Sequence, residues 1–157
     1  MRREMSQAVR KEFASQLDRR LPHFARDQAS NVPPEVVQYV WGSANKQLLF
    51  YVCLQFHRIW DRFTIELAWS SQGRYPGYAP PAEPEDEAPT GEMRFRLSRL
   101  WASSEDVWWE PLPGGWANKK ELHARIEPVV SDAMEKLVTY GVPYMERVTE
   151  QRGLTRR

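Results

Sequence analysis

The side chains with most to offer chemically stand in two stretches, "RIWDRFTIELAWSS" at 58–71 and "MRFRLSRLWASSEDVWWEP" at 93–111. In the first, Phe63, Ile65, Leu67 and Trp69 alternate with Arg62, Thr64, Glu66 and Ala68; in the second, Met93, Phe95 and Leu97 alternate with Arg94, Arg96 and Ser98. Period-two alternation is the mark of a strand with one apolar and one polar face. If the strand at 62–70 pairs with the one at 93–101, then Thr64, Glu66, Arg94 and Arg96 project from the same side, with Arg62 and Gln55 as neighbours. One outcome is a cross-strand pair between Glu66 and Arg94 or Arg96 on a solvated face. The other is a cationic platform that one glutamate cannot neutralise, suited to carboxylates or phosphates through the planar guanidinium fork. Tyr39 or Trp60 at its margin would give the mixture of arginine and aromatics found in protein interfaces.

The adjacent indoles of Trp108 and Trp109 are costly to leave in water. On a strand, alternation sends one inward and the other outward, and the sequence does not fix which. Either both close the core at a sheet edge under the C-terminal helix, or one of them meets a partner.

Other chemistries find little support. His23, His57 and His123 have no ligand partner at a recognised spacing, and His57-x3-Asp61 reads better as a local hydrogen bond than as a metal site. The acidic knot Glu83, Glu85, Asp86 and Glu87 lacks the glycine turn of a calcium loop. "PGGW" lacks the surroundings of a nucleotide loop, no Gly-x-Ser-x-Gly occurs, and Cys53 lies in an apolar run, where cysteine acts as a small hydrophobe. No cofactor and no metal are indicated. An enzyme would have to unite His57, Asp61 and Glu66 in one pocket.

The 157 residues suit one domain, with 41% apolar and 27% charged residues and a formal net charge of +1. Such a balance gives no overall pull toward nucleic acid or an anionic membrane. A lone cysteine, no apolar segment of membrane-spanning length and a basic start without an apolar leader point to the cytoplasm.

The elements that must position these residues follow from spacing. Met5, Val9, Phe13, Leu17 and Leu21, widened by Ala8 and Phe24, predict an amphipathic helix over about 3–25 with Pro22 at its end. "VVQYVWGS" and "LLFYVCLQFH" predict two strands, the second apolar on both sides and therefore central, joined by a "GSANKQ" hairpin. Residues 72–92 hold five of the 12 prolines and form an acidic excursion between strands. A short strand is expected at "VWWEPL" and a turn at "PGG". Asn118 and Glu121 have capping-box spacing, and Leu122 to Val138 a helical stripe, kinked near Pro128 and ending at Gly141, before a short helix around Pro143. The fold class is α+β: an antiparallel sheet of about four to five strands, one face covered by the N-terminal and C-terminal helices, the other at least partly open.

The N-terminal helix, "FTIELAWS", "RLSRLW", the Asp-x-Trp-Trp-Glu segment at 106–110 and the terminal "YGVPYMERV" together resemble the bacterial domain-of-unknown-function 4304 family over most of the chain. The most specific landmarks are the arginine strand followed by Trp108-Trp109, and Gly141, Pro143, Tyr144 and Glu146. The resemblance implies the same α+β order and carries no catalytic residues; small domains of this kind are associated with toxin immunity and phage defence. The leading expectation is a non-enzymatic cytoplasmic protein that binds a protein partner through Arg62, Glu66, Arg94, Arg96, Trp108 and Trp109. Nucleic-acid binding through the basic sheet face and N-terminal helix is the alternative, an enzyme near His57 the third, and homo-oligomers stay open.

Overall fold

The computed structural model of the chain describes residues 1–27, 36–42, 47–102, 105–111 and 115–152. The expected "GSANKQ" hairpin and the "PGG" turn fall largely outside them, as do Ser103 and Ser104. Along the chain run α1 (Arg3–Arg20), β1 (Ala25–Asp27), β2 (Val36–Gly42), β3 (Leu49–Phe56), β4 (Phe63–Ser70), β5 (Glu92–Arg96), α2 (Lys119–Lys136) and α3 (Val142–Gln151). The strands lie in sequence order, each antiparallel to the next, in one five-stranded sheet. The architecture is the α+β arrangement that the alternation predicts.

One face of the sheet carries the core. Val37 and Tyr39 of β2, Phe50, Val52 and Leu54 of β3, Phe63, Ile65, Leu67 and Trp69 of β4, and Met93 and Phe95 of β5 are all buried. Against them pack Val9, Phe13 and Leu17 of α1 and Ile126, Val130 and Met134 of α2. Tyr39 belongs to this layer, its ring 5.6 Å from that of Phe13. It is therefore no margin for the polar face.

Helix α1 is shorter than its apolar stripe. Pro22 disfavours helical geometry at Leu21, so α1 ends at Arg20 and the chain turns into β1, which pairs Ala25 with Val40. Phe24 stays buried, beside Trp41 rather than on the helix. At the start of α2 the Asn118 side chain accepts from the Glu121 N–H at 2.9 Å, and the Glu121 carboxylate accepts from the Ala117 N–H at 2.7 Å. Pro128 lies inside α2 without ending it. Gly141 does not end the helix either: a π-helical turn at Leu137–Gly141 leads directly into α3.

Helix α3 docks through Tyr144, whose hydroxyl accepts from the Trp69 indole at 2.9 Å and lies 3.4 Å from the Met93 sulfur. Burial pushes this phenol up to about 12, against the Trp69 N–H that favours its charged form. The π turn brings Gly141 so close to the sheet that a Cβ there would lie 2.9 Å from a Leu137 methyl and 3.4 Å from methyls of Leu67 and Leu97. All three leucines are buried. Gly141→Ala is therefore expected to lower stability by about 1 kcal/mol despite alanine's better helix propensity, because overpacking costs about 1–3 kcal/mol. Urea unfolding monitored by tryptophan fluorescence would measure it, and a stabilised variant would contradict the close packing.

Candidate functional site

The polar face of the sheet collects the residues expected to act together. Cross-strand registers put Glu66 opposite Cys53 on one side and Arg96 on the other, with Ala68 opposite Arg94. The pairing is as expected, and the face is open only in part: Gln55, Arg96 and Trp108 are half-buried, while the middle is covered. All eight residues of β4 are buried, Glu66 to 4% exposure.

The cover is the proline-rich segment between β4 and β5. From Gly73, in the left-handed region at φ 73°, it passes to Tyr75, whose hydroxyl donates to Glu66 Oε1 at 2.8 Å and whose ring meets Tyr51 edge-on. Burial first, then the neighbouring Cys53 and the Glu66 carboxylate, raise the Tyr75 phenol far above its ordinary range, so it stays a donor. Arg94 contributes a guanidinium 3.4 Å from Glu66 Oε2 and donates from Nε to the Ala79 carbonyl at 2.5 Å. The Glu66–Arg94 pair is thus the one realised, although Arg96 is the direct register neighbour. Glu66 and Arg94 are framework here rather than contact surface.

The two indoles separate cleanly. Strand β5 leaves the edge of β4 at Arg96 into a 3₁₀ turn over Leu97–Leu100, where a longer strand at 93–101 was expected. The chain returns at 107–109 to fill the vacated edge: Trp109 and Phe63 exchange both backbone hydrogen bonds at 2.8 and 3.0 Å. This single bridge replaces the strand expected at "VWWEPL". Trp109 points into the core, stacked 5.9 Å from Phe63, with its N–H donating to Asp132 at 2.9 Å. It is 6% exposed and unavailable as a partner contact.

Trp108 points to the polar face and is half-buried. The guanidinium carbons of Arg62 and Arg96 lie 4.9 and 5.5 Å from its ring centre, and the His57 ring meets it edge-on at 5.3 Å. Arg96 also donates to the Gln55 side chain. Arg62 stands 3.9 Å from the exposed Glu110 carboxylate, a loose ion pair, and its Nε is buried without a hydrogen-bond partner.

Beside Trp108 lies the β3–β4 turn; sequence reasoning named Trp60 as an aromatic margin of the polar face but missed Ile59 and the bonds that hold the turn. Ile59 is 76% and Trp60 60% exposed, yet the turn that carries them is tightly held. His57 Nδ1 accepts from the N–H groups of both Ile59 and Trp60, at 3.2 and 3.0 Å. The backbone closes through His57 N–H to the Arg62 carbonyl and Arg62 N–H to the Trp60 carbonyl. Arg2 grips Asp61 through its backbone N–H at 2.9 Å and its Nε at 2.7 Å. Burial acts against the Asp61 carboxylate, but these Arg2 contacts outweigh it and hold the group below its ordinary range. The apolar pair in "RIWDR" was the available signal, hidden because a turn residue's exposure cannot be read from alternation.

His57, Asp61 and Glu66 do not converge. The first two bind the turn and α1, while Glu66 sits three register pairs further along the strands with Tyr75 and Arg94. Among the described residues no three histidine, cysteine or carboxylate groups gather as a metal would require, and no helix is long and apolar enough to cross a membrane.

Comparison with known proteins finds no matching family model, curated protein or solved structure. The arrangement therefore has to be interpreted from its own chemistry. It can present a rigid, mixed aromatic and cationic surface of Ile59, Trp60, Arg62, Arg96 and Trp108.

Two measurements test this geometry. Trp109→Ala is expected to cost about 3–5 kcal/mol of stability, as for a buried aromatic, and Trp108→Ala about 1 kcal/mol or less; equal losses by denaturant unfolding would contradict the assigned directions. A ring nitrogen that accepts two N–H bonds must be unprotonated, and desolvation, Arg62 and the terminal ammonium lower the His57 pKa from its ordinary 6.5. The unfolded chain thus binds the proton more readily, so His57 supports the turn above pH 6.5 and loses that contribution as pH falls through its lowered pKa. An NMR titration is expected to give a midpoint below that of a free imidazole, with the Ile59 and Trp60 amide signals moving in step.

Proposed function

We propose that the chain is a non-enzymatic, cytoplasmic binding protein that holds a protein partner on the surface around the β3–β4 turn. One observation carries this reading: two large apolar side chains, Ile59 and Trp60, are exposed on a turn fixed by side-chain and backbone bonds. Exposed apolar groups on a mobile loop would be unremarkable. On a rigid turn they form a preorganised anchor that loses little conformational freedom on binding. Tryptophan and arginine are the residues that most often dominate interface energy, and Trp108, Arg62 and Arg96 stand alongside. Trp109 then anchors this surface to the core, and Glu66 and Arg94 hold the neighbouring part of the same face.

An immunity or defence-accessory role is the specific form of the proposal, suggested by the resemblance to the domain-of-unknown-function 4304 family and consistent with a protein that acts by occupying another. Nucleic-acid binding is less well supported. Arg94 is paired with Glu66, Arg99 lies 3.8 and 3.5 Å from Glu83 and Asp106, and the covering segment adds acidic charge to the sheet face. With that segment in place, a polyanion would meet its carboxylates there. An enzymatic reading would need a pocket that unites His57 with a carboxylate free to transfer protons, and both of the proposed carboxylates are bound to arginine.

Native mass spectrometry of the full chain recovered from its own cell is expected to show one added polypeptide in fixed stoichiometry. Ile59→Ser combined with Trp60→Ser should leave circular dichroism unchanged and weaken that partner on the order of 30-fold, as loss of an anchor worth about 2 kcal/mol implies. Bound nucleic acid instead, with affinity falling steeply as salt rises, would replace this reading with the second one.

A further inference from the structure

β5 is the last strand of the sheet, and its outer side is met by the chain's own acidic segment. Ala82 N–H donates to the Arg94 carbonyl at 3.0 Å, and Pro81 faces Arg94 in a parallel bridge. Further along, the Glu83 carboxylate lies 3.8 Å from Arg99, Glu85 lies 3.2 Å from Arg147, and the Ala88 carbonyl accepts from Arg152 at 3.4 Å. The segment thus shows which chemistry this edge accepts: an extended backbone beside Arg94, and carboxylates beside Arg99 and Arg147.

It fills the place incompletely. Among the described residues, its ties to β5 are the single Pro81–Arg94 bridge, with Ala82 N–H on the Arg94 carbonyl, and Arg94 Nε on the Ala79 carbonyl at its start. Pro80 and Pro84, the alternate positions on either side of Ala82, have no N–H with which to extend the ladder. The ion pairs are weak because their carboxylates are exposed, Glu83 to 53% and Glu85 to 84%. Beneath the segment lies a cavity of about 330 Å³ whose lining includes Arg94, Arg96 and Arg99 and, on the acidic side, Glu66, Glu83 and Asp106, the last 3.5 Å from Arg99. The covering segment therefore spans a hollow instead of packing into it.

We propose that the β5 edge, with Arg96 and Arg99, is a docking strip for an extended acidic segment of a protein partner, and that residues 79–88 are its competitor within the same chain. Strand addition to an exposed edge gives affinity through the backbone and specificity through side chains, and here the side-chain requirement is negative charge. This rests on the reading of the chain as a protein-binding molecule, and it adds a second surface to that of Ile59 and Trp60. Release of the segment would uncover the strip while Tyr75 keeps its root on Glu66.

The test uses fluorescence anisotropy with a labelled peptide of sequence YATTAETEDEAT, which keeps the segment's charges and restores the missing N–H groups, and a control with Gln and Asn for Glu and Asp. The chain carrying Glu83→Gln and Glu85→Gln is expected to bind the acidic peptide at least about tenfold more tightly than the unaltered chain, and the neutral control no more tightly. Arg99→Gln added to that chain should remove the gain. Should Glu83→Gln and Glu85→Gln disturb folding, adding the peptide to the unaltered chain and following amide exchange of residues 79–88 gives the same decision, with faster exchange expected. Equal binding by both chains, equal binding of the neutral control, exchange that the peptide does not alter, or dimerisation of the double variant without peptide binding would each overturn the proposal. Ile59→Ser with Trp60→Ser leaves the strip intact, so peptide binding that survives while the native partner is lost separates failure of one surface from failure of the other.

Discussion

A carboxylate in the middle of a fully buried strand constrains much of what surrounds it. Glu66 is 4% exposed, opposite Cys53 and flanked by β3 and β5. A buried charge persists only with hydrogen-bond donors and a counter-charge. Tyr75 supplies the first and Arg94 the second, and each fixes something larger. Tyr75 roots the proline-rich segment on the sheet. Arg94, held between Glu66 and the Ala79 carbonyl, draws that segment across the face. The polar side of the sheet is therefore a second, hydrogen-bonded layer, thinner than the helical one opposite.

This explains which parts of the fold were legible. The stripe of α1, the alternation in β3 and β4, the antiparallel order and the Asn118 cap all depend on residues close in sequence, and each was readable from spacing. β1 was not, because three residues carry no period and the apolar stripe assigned to α1 ran up to Phe24, the residue before it. The cover over the polar face was not, because it depends on two buried polar contacts between Glu66 and residues 9 and 28 positions away. Alternation marks Thr64, Glu66 and Ser70 as polar, and a polar residue reads as solvated until its partners are known. The same holds for the indoles: alternation separates Trp108 from Trp109, but the side that each takes is set by β5 leaving the ladder at Arg96.

The candidate site divides along the same line. Arg62, Arg96 and Trp108 stand together as their spacing suggested, whereas Glu66 and Arg94 lie further along the same face under the proline-rich segment and Trp109 lies in the core. The arginines differ in their surroundings: Arg94 is half-buried against a carboxylate, while Arg62 and Arg96 meet the face of an indole. A guanidinium over an aromatic ring keeps hydrogen-bonding capacity at its edge that a carboxylate partner would consume. The residues that add the apolar anchor, Ile59 and Trp60, come from a turn whose rigidity depends on His57 and on Asp61 reaching back to α1. Rigidity and exposure at one place are tertiary properties, and neither is written in a four-residue spacing.

The sheet order also bears on how the molecule assembles. Every strand pairs with its neighbour in sequence, so the sheet can zip outward from the β3–β4 hairpin by successive short closures. The contact between α1 and α2 is of another kind, since Arg20 meets Glu135 across 115 positions. Its loop-closure entropy is modest once the sheet already holds the intervening chain, and large before then. The order expected from this is a hairpin nucleus, a growing sheet, and only then the two helices meeting over its apolar face, so that during synthesis the apolar side of the sheet has only α1 to cover it until α2 has emerged.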